Sequence, residues 1–213
     1  MTLSEVAQFL GEEEIPQSKP NIQSEVLFDH LPYPTFESKE IFEDVIKETA
    51  RAKADDAIPA EKIWLGIYFD REIRHGLHPP VSIRFIDAEI GYGVFAEKRI
   101  PSCGFAGEYT GIVKERNPKL LKGEVYSVRY PLWNEEKKRY TGAVYVLDAK
   151  ERGNFTRFLN HSDRPNLSLQ SVYWRGIPRM IFIALREIKE GEQLTFDYGP
   201  LFWKEFATTP KSL

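Results

Sequence analysis

Hydrophobic positions recur at helical spacing early in the chain and come in short runs later. Leu3, Val6 and Leu10 share one helical face behind Thr2-Leu3-Ser4-Glu5, which has capping-box spacing, and Gly11 is a stop signal, so the pattern predicts a short first helix. Pro16, Pro20, Pro32 and Pro34 mark residues 15–36 as an extended connector. Ile41, Phe42, Val45, Ile46 and Ala50 then recur at helical spacing behind Ser38 as cap, predicting a second helix that ends near Ala54. From residue 81 the apolar runs are short, β-branched or aromatic, and broken by turn residues. They predict strands at 81–86, 105–109, 125–130, 143–147, 167–172, 180–185 and 194–196. No internal repeat and no low-complexity tract interrupts them. The expectation is a mainly β fold of the β-rich α+β kind, preceded by a helical N-terminal region.

Composition narrows the function classes. The 213 residues give room for one full domain and a smaller extension. A chain that is 42% hydrophobic and 29% charged is not a disordered chain, a collagen or a coiled-coil rod. Cys103 is the single cysteine, so there is no internal disulfide and no four-thiolate zinc site; any chemistry is zinc-independent of that kind, metal-free or served by oxygen and nitrogen ligands. No apolar run approaches the ~18–20 residues of a membrane span, and the start of the chain runs directly into Glu12, Glu13 and Glu14, unlike a basic-then-apolar leader. A soluble intracellular protein without membrane contact is expected. Charge is uneven: residues 1–60 carry 5 Lys/Arg against 13 Asp/Glu, and residues 61–213 carry 24 against 19. The acidic front either folds over the body, draws in a basic partner, or is a solvated helical face.

Four segments concentrate chemistry. Gly91-Tyr92-Gly93-Val94-Phe95-Ala96 either lets backbone approach a ligand closely or makes a tight hairpin turn. The stretch from Gly153-Asn154 through Asn160-His161-Ser162 to Pro165-Asn166 offers amide, imidazole and hydroxyl groups, either for a ligand or to satisfy its own turn. Gly191-Glu192-Gln193-Leu194-Thr195-Phe196-Asp197-Tyr198-Gly199 places Phe196 and Tyr198 on one strand face, lining a pocket or filling a core. Glu108-Tyr109-Thr110-Gly111 adds a second tyrosine before a glycine.

In this order and spacing the four segments resemble the SET-domain protein lysine methyltransferases, over roughly residues 81–199. The closest likeness is to the compact stand-alone SET proteins, nuclear effectors of chlamydia-type bacteria, because Asp163 follows Asn-His-Ser and Gly199-Pro200-Leu201-Phe202-Trp203 closes the last motif. The resemblance implies a SET-type β-clip of several small twisted sheets with a pseudoknot, divided into an N-terminal helical extension (1–80), the SET domain (81–199) and a short aromatic tail that closes the site (200–213). It also implies S-adenosyl-L-methionine as cofactor, held by Gly91, Tyr92, Gly93, Asn160 and His161, with Tyr126, Arg157, Phe158 and Tyr198 beside it. Tyr198 and Tyr109 match the catalytic tyrosines, and Tyr109, Phe196 and Trp203 would line the substrate channel.

The implied reaction is in-line methyl transfer to a neutral lysine amine of a basic protein such as a histone or histone-like protein. Free lysine, with a pKa of about 10.4, is mostly protonated, but an apolar channel disfavours the ammonium form, so no strong base is required. Two departures stand out: the zinc-binding cysteine clusters of many histone-specific members are missing, and the N-terminal region has no counterpart among the motifs, making it a candidate for homodimer contacts or substrate choice. Secretion by a bacterium into a host nucleus follows from the same likeness. The alternative is a catalytically inactive SET-like peptide-binding module. Direct sequence-specific nucleic-acid binding lacks a reading helix or aromatic platform.

Overall fold

Ser38 begins a helix as the spacing predicts: its Oγ accepts from Ile41 N at 3.3 Å, and α1 (Lys39–Ala54) buries Phe42, Val45, Thr49 and Ala52. The computed structural model describes residues 21–22, 29–116, 125–133, 145–200 and 202. The first predicted helix and Trp203 lie outside these residues. Two further helices follow, α2 (Ala60–Tyr68) and α3 (Asp70–Arg74), which the apolar spacing did not mark. The reason is visible in α2: its one buried position is Gly66, while Trp64, Ile67 and Tyr68 are exposed. Gly66 lies so close to Tyr173 that an added Cβ would sit 2.0 Å from its carbonyl oxygen, and glycine alone permits this contact.

The strands form three sheets. The largest runs β1 (Asn21–Ile22), β4 (Val81–Asp87), β5 (Gly91–Ala96), β14 (Gln193–Phe196), β12 (Leu167–Trp174), β13 (Ile177–Ala184) and β6 (Phe105–Glu108), with β11 (Asn160–His161) beside β14. A second sheet orders β3 (Thr35–Phe36), β7 (Ile112–Glu115), β9 (Tyr145–Asp148) and β8 (Ser127–Arg129), and β2 (Asp29–His30) pairs with β10 (Arg152–Gly153). The proline-rich connector is extended where it is described. It supplies β1, β2 and β3, each in parallel register with a strand of a different sheet.

Two predicted features shift. Residues 91–96 are a strand throughout: the turn falls before them, where Asp87 Oδ1 accepts from Glu89 N at 2.8 Å and Ile90 N at 2.7 Å, leaving both glycines inside β5. A further strand, β7, appears at Ile112–Glu115, where Lys114 and Glu115 obscure the apolar run.

β14 is the hub of the body. It pairs antiparallel with β5 and parallel with both β12 and β11. Asn166 clamps it, donating from Nδ2 to Gln193 O at 2.7 Å and accepting at Oδ1 from Thr195 N at 2.9 Å. Ser162 N also reaches Phe196 O at 3.2 Å, so the Asn-His-Ser segment is laid against the final strand.

The turn entering β14 is pinned by Glu192, whose Oε1 accepts from Arg186 at 2.5 Å and whose Oε2 accepts from Lys189 N at 3.0 Å. The Arg186 hydrogen bond is the main reason that this carboxyl is held down at about 2. A depressed carboxylate stabilises the fold above its unfolded pKa and loses that contribution as pH falls through the folded value. Glu192→Gln is therefore expected to lower the melting temperature near neutral pH, with the deficit shrinking as pH falls toward about 2. Calorimetry across that range checks it, and a deficit independent of pH is the contrary result.

Deeper in the body a charged pair is fully enclosed. Arg179 is 0% exposed and meets Glu108 through two parallel bonds, Nε to Oε1 at 2.5 Å and Nη2 to Oε2 at 2.7 Å. Its guanidinium also lies 4.8 Å from the Trp174 ring.

Candidate active site

β6 ends at Glu108, so the buried ion pair fixes the residue that follows it, Tyr109. This side chain is 4% exposed, and its hydroxyl donates to Tyr126 O at 2.6 Å. From the other side β14 delivers Phe196 and then Tyr198, whose hydroxyl donates to Leu159 O at 2.8 Å. Leu159 follows a 3₁₀ turn (Phe155–Phe158) that Asn154 caps, accepting from Thr156 N at 3.0 Å. Tyr109, Tyr126, Leu159, Phe196, Tyr198 and Phe202 thereby face one cavity of about 420 Å³.

The cavity is aromatic, and its Tyr109 and Tyr198 stay protonated. Burial is the largest cause that pushes both phenols above their ordinary value of about 10. A phenol that gives its hydrogen to a carbonyl meets a substrate N–H only as an acceptor. The two hydroxyls are therefore acceptors of fixed direction and not bases at neutral pH. Phe196 is locked between Phe182 (ring centroids 5.0 Å) and Tyr198 (4.9 Å), and Phe202 stands edge-on to Tyr198 at 4.7 Å. Arg157 braces the wall: its guanidinium lies 4.4 Å from the Tyr126 ring, and Nη2 donates to Lys150 O at 2.6 Å.

A second group of predicted residues meets beside Gln193. Asn160 Nδ2 donates to Tyr92 O at 3.0 Å, tying the Asn-His pair to the Gly-Tyr-Gly strand. A Cβ on Gly93 would approach Gln193 Nε2 and Ile86 Cδ1 to 2.7 Å and Asn160 Nδ2 to 3.1 Å. Gly91 differs: at φ +78° it needs glycine for its backbone conformation, with nothing near the missing Cβ. His161 Nδ1 accepts from Tyr198 N at 3.3 Å, and its Nε2 lies 3.2 Å from Asp163 Oδ1. Tyr92 packs edge-on to Phe158 at 6.2 Å, which joins the two groups.

These residues suit a polar cofactor with an apolar end. Among the described residues, Gln193 Nε2 is buried without a hydrogen-bond partner and Asn160 donates from its amide nitrogen to Tyr92 O, and the side chains of Gln193, Ile86 and Asn160 close in on the backbone of Gly93. Trp203, expected in the channel, is outside the described residues. Motif reading missed Leu159, whose carbonyl anchors Tyr198, because a leucine between Phe158 and Asn160 gives no hint that its backbone is used. It also missed Arg179, which has no motif around it and reveals itself only by being buried. Among the described residues, no group of three or more His, Cys, Asp or Glu could hold a metal ion, and no helix is long and apolar enough to cross a membrane.

Comparison with known proteins finds relatives of this chain. The SET domain family profile covers residues 91–199. Human histone-lysine N-methyltransferase EHMT1 is 32% identical over 139 residues, 63% of this chain and 10% of that protein. Xenopus laevis histone-lysine N-methyltransferase SUV39H1 is 34% identical over 113 residues, 51% of this chain and 27% of that protein. The structure of KRYPTONITE in complex with mCHH DNA, H3(1-15) peptide and SAH is 28% identical, covering 58% of this chain and 24% of that one, with a TM-score of 0.45. The chain thus spans from a tenth to about a quarter of the length of these relatives. The profile begins at the glycine that opens the Asn160-bound strand and ends just past the tyrosine facing the cavity; the chain belongs to the SET domain family and is related to the histone-lysine methyltransferases.

Proposed function

We propose that this chain is an S-adenosyl-L-methionine-dependent protein-lysine N-methyltransferase acting on a basic protein, a histone or histone-like protein. One observation carries the reading: two protonated tyrosines, Tyr109 and Tyr198, point into an aromatic cavity with their hydrogens committed to backbone carbonyls. Such a cavity holds a neutral amine and aims its lone pair. The catalytic roles fall to Tyr198 and Tyr109, with Phe196 as channel wall. Gly91, Tyr92, Gly93, Asn160 and His161 would hold the cofactor, with Tyr126, Arg157 and Phe158 shaping the wall between the two groups. The bound cofactor supplies a methyl group already made electrophilic by its sulfonium. The protein's part is to strip the lysine of water, favour its unprotonated form by burial, and align it.

The division into residues 1–80, 81–199 and 200–213 belongs to the same reading. It is supported by β4, which starts at Val81 and pairs along its length with β5. So do a compact bacterial origin of the chlamydia type and action in a host nucleus, which rest on Asp163 and the Gly199-Pro200-Leu201-Phe202-Trp203 ending. The test is transfer of labelled methyl to a panel of core histones, linker histone and bacterial basic proteins, with mass spectrometry to locate the lysine. No labelled lysine in any of them would remove the reading.

Two variants probe the site's halves. Asn160→Ala removes the bond to Tyr92 O and is expected to weaken S-adenosyl-L-methionine binding by about 1–3 kcal/mol, read by calorimetric titration; unchanged affinity in a folded variant counts against the cradle. Phe196→Tyr adds a hydroxyl beside the amine position that can hold a water where a first methyl must swing. The natural chain is expected to yield products beyond monomethyl-lysine and Phe196→Tyr to shift toward monomethylation, as followed by mass spectra of a single-lysine peptide. Monomethyl product alone from the natural chain is the contrary result.

A further inference from the structure

β14 ends at Phe196, so the backbone nitrogen of Tyr198 lies beyond the strand ladder. A side chain takes over there: Tyr198 N donates to His161 Nδ1 at 3.3 Å, while the hydroxyl at the other end of the same residue donates to Leu159 O at 2.8 Å. The segment 159–161 thus holds the tyrosine at both ends. The hydroxyl anchor asks nothing special of its partner, since a carbonyl oxygen always accepts. The imidazole anchor does.

A backbone N–H can only donate, so Nδ1 must carry no hydrogen and the hydrogen of the ring must sit on Nε2. Which nitrogen of a neutral imidazole is protonated is set by the partners of the two. Nε2 lies 3.2 Å from Asp163 Oδ1, an acceptor in the right place for an Nε2 hydrogen. A rival stands on the other side. Asp197 Oδ1 is 3.6 Å from Nδ1, and a hydrogen drawn there would turn Nδ1 into a donor facing the N–H of Tyr198. The two aspartates therefore pull the ring hydrogen in opposite directions, and the tie to Tyr198 N exists only while Asp163 prevails.

The surroundings suit this part. The His161 side chain is 5% exposed, whereas those of Asp163 and Asp197 are 66% and 62% exposed, so both carboxylates reach a buried ring from the solvent side. Ser162 fixes where Asp163 starts: its backbone N donates to Phe196 O at 3.2 Å, and its Oγ accepts from Arg164 N at 3.1 Å, turning the chain just after His161. Water in the place of the Asp163 carboxylate would not do the same, because it both donates and accepts and so does not choose between the two forms of the ring.

We infer that Asp163 is a positioning residue: by accepting from Nε2 it keeps His161 Nδ1 bare, and the bare nitrogen holds Tyr198 at the cavity. Its effect on rate rests on the methyl-transfer reading; the state of the ring does not.

Long-range proton–nitrogen correlation spectra of the isotope-labelled full chain, at mildly alkaline pH, read the ring directly, because a bare ring nitrogen resonates far downfield of a protonated one. His161→Gln identifies its signals among the four histidines. The natural chain is expected to show a bare Nδ1 and a protonated Nε2. In Asp163→Ala the two nitrogen signals should move toward each other, the Tyr198 amide hydrogen should exchange faster with solvent, and single-turnover methyl transfer should fall about tenfold. Asp163→Asn keeps an acceptor oxygen at the same place and is expected to return the ring pattern and most of the lost rate, a rescue that a merely structural role would not produce. Each variant is first shown to keep a single cooperative unfolding transition, and Asp163→Ser, too short to reach the ring, replaces the alanine variant if that one does not. A hydrogen on Nδ1 in the natural chain, a doubly protonated ring there, or a ring and Tyr198 amide unchanged in Asp163→Ala overturns the inference and leaves methyl transfer untouched. A natural chain that transfers no methyl strikes the proposed function instead, and the ring and amide signals still decide this inference.

Discussion

Tyr198→Phe is expected to fold, to bind S-adenosyl-L-methionine with little change, and to transfer methyl groups roughly 10²-fold more slowly. The ring keeps its packing against Phe196 and Phe202, so the cavity wall survives. What goes is the hydroxyl anchored on Leu159 O, and with it an acceptor of fixed direction for the amine. Because burial keeps this phenol protonated at neutral pH, the loss is one of alignment and not of a base. The slowed reaction should therefore show no new ionisation in its pH profile near neutrality. Single-turnover transfer separates this from a binding defect. A natural rate in the variant would strengthen the alternative, an inactive peptide-binding module.

Arg179→Met is expected to cost about 3–5 kcal/mol of stability, because Glu108 is left as a buried carboxylate without its partner. The pair is enclosed on every side, with side chains 0% and 4% exposed, so water cannot take the place of the guanidinium. Removing both charges, as in Glu108→Leu/Arg179→Met, should cost much less than the single change. Urea midpoints for the two variants decide this, and equal losses would mean the pair is only packing. Glu108 precedes Tyr109, so the single variant should also loosen the cavity while the double variant restores its walls.

The sequence made some of this plain and left other parts hidden, for identifiable reasons. α1 was legible because Ile41, Phe42, Val45 and Ile46 recur at helical spacing behind a capping serine, although Ala50, read on the same face, is exposed and Thr49 and Ala52 are buried in its place. α2 was not, since its exposed face carries Trp64, Ile67 and Tyr68 and its one buried position is a glycine. Strand existence was legible after residue 81, but register was not: nothing local pairs Asn21 with Ser82 or Asn160 with Thr195. The side chains of the candidate site were legible through motif order. Its backbone anchors, Leu159 O and Tyr126 O, were not, because a carbonyl belongs to every residue and only the fold selects which is used.

The place of β14 at the centre of three partners has a consequence for how the protein comes into being. Leu194 pairs with Val94, and Thr195 with Asn160, so the cradle strand, the Asn-His segment and the tyrosine are joined by a strand synthesised at the end of the domain. Contacts of such long sequence separation make folding slow and form late. A growing chain that has not yet emerged past Tyr198 lacks the strand that joins these segments and the tyrosine that faces the cavity.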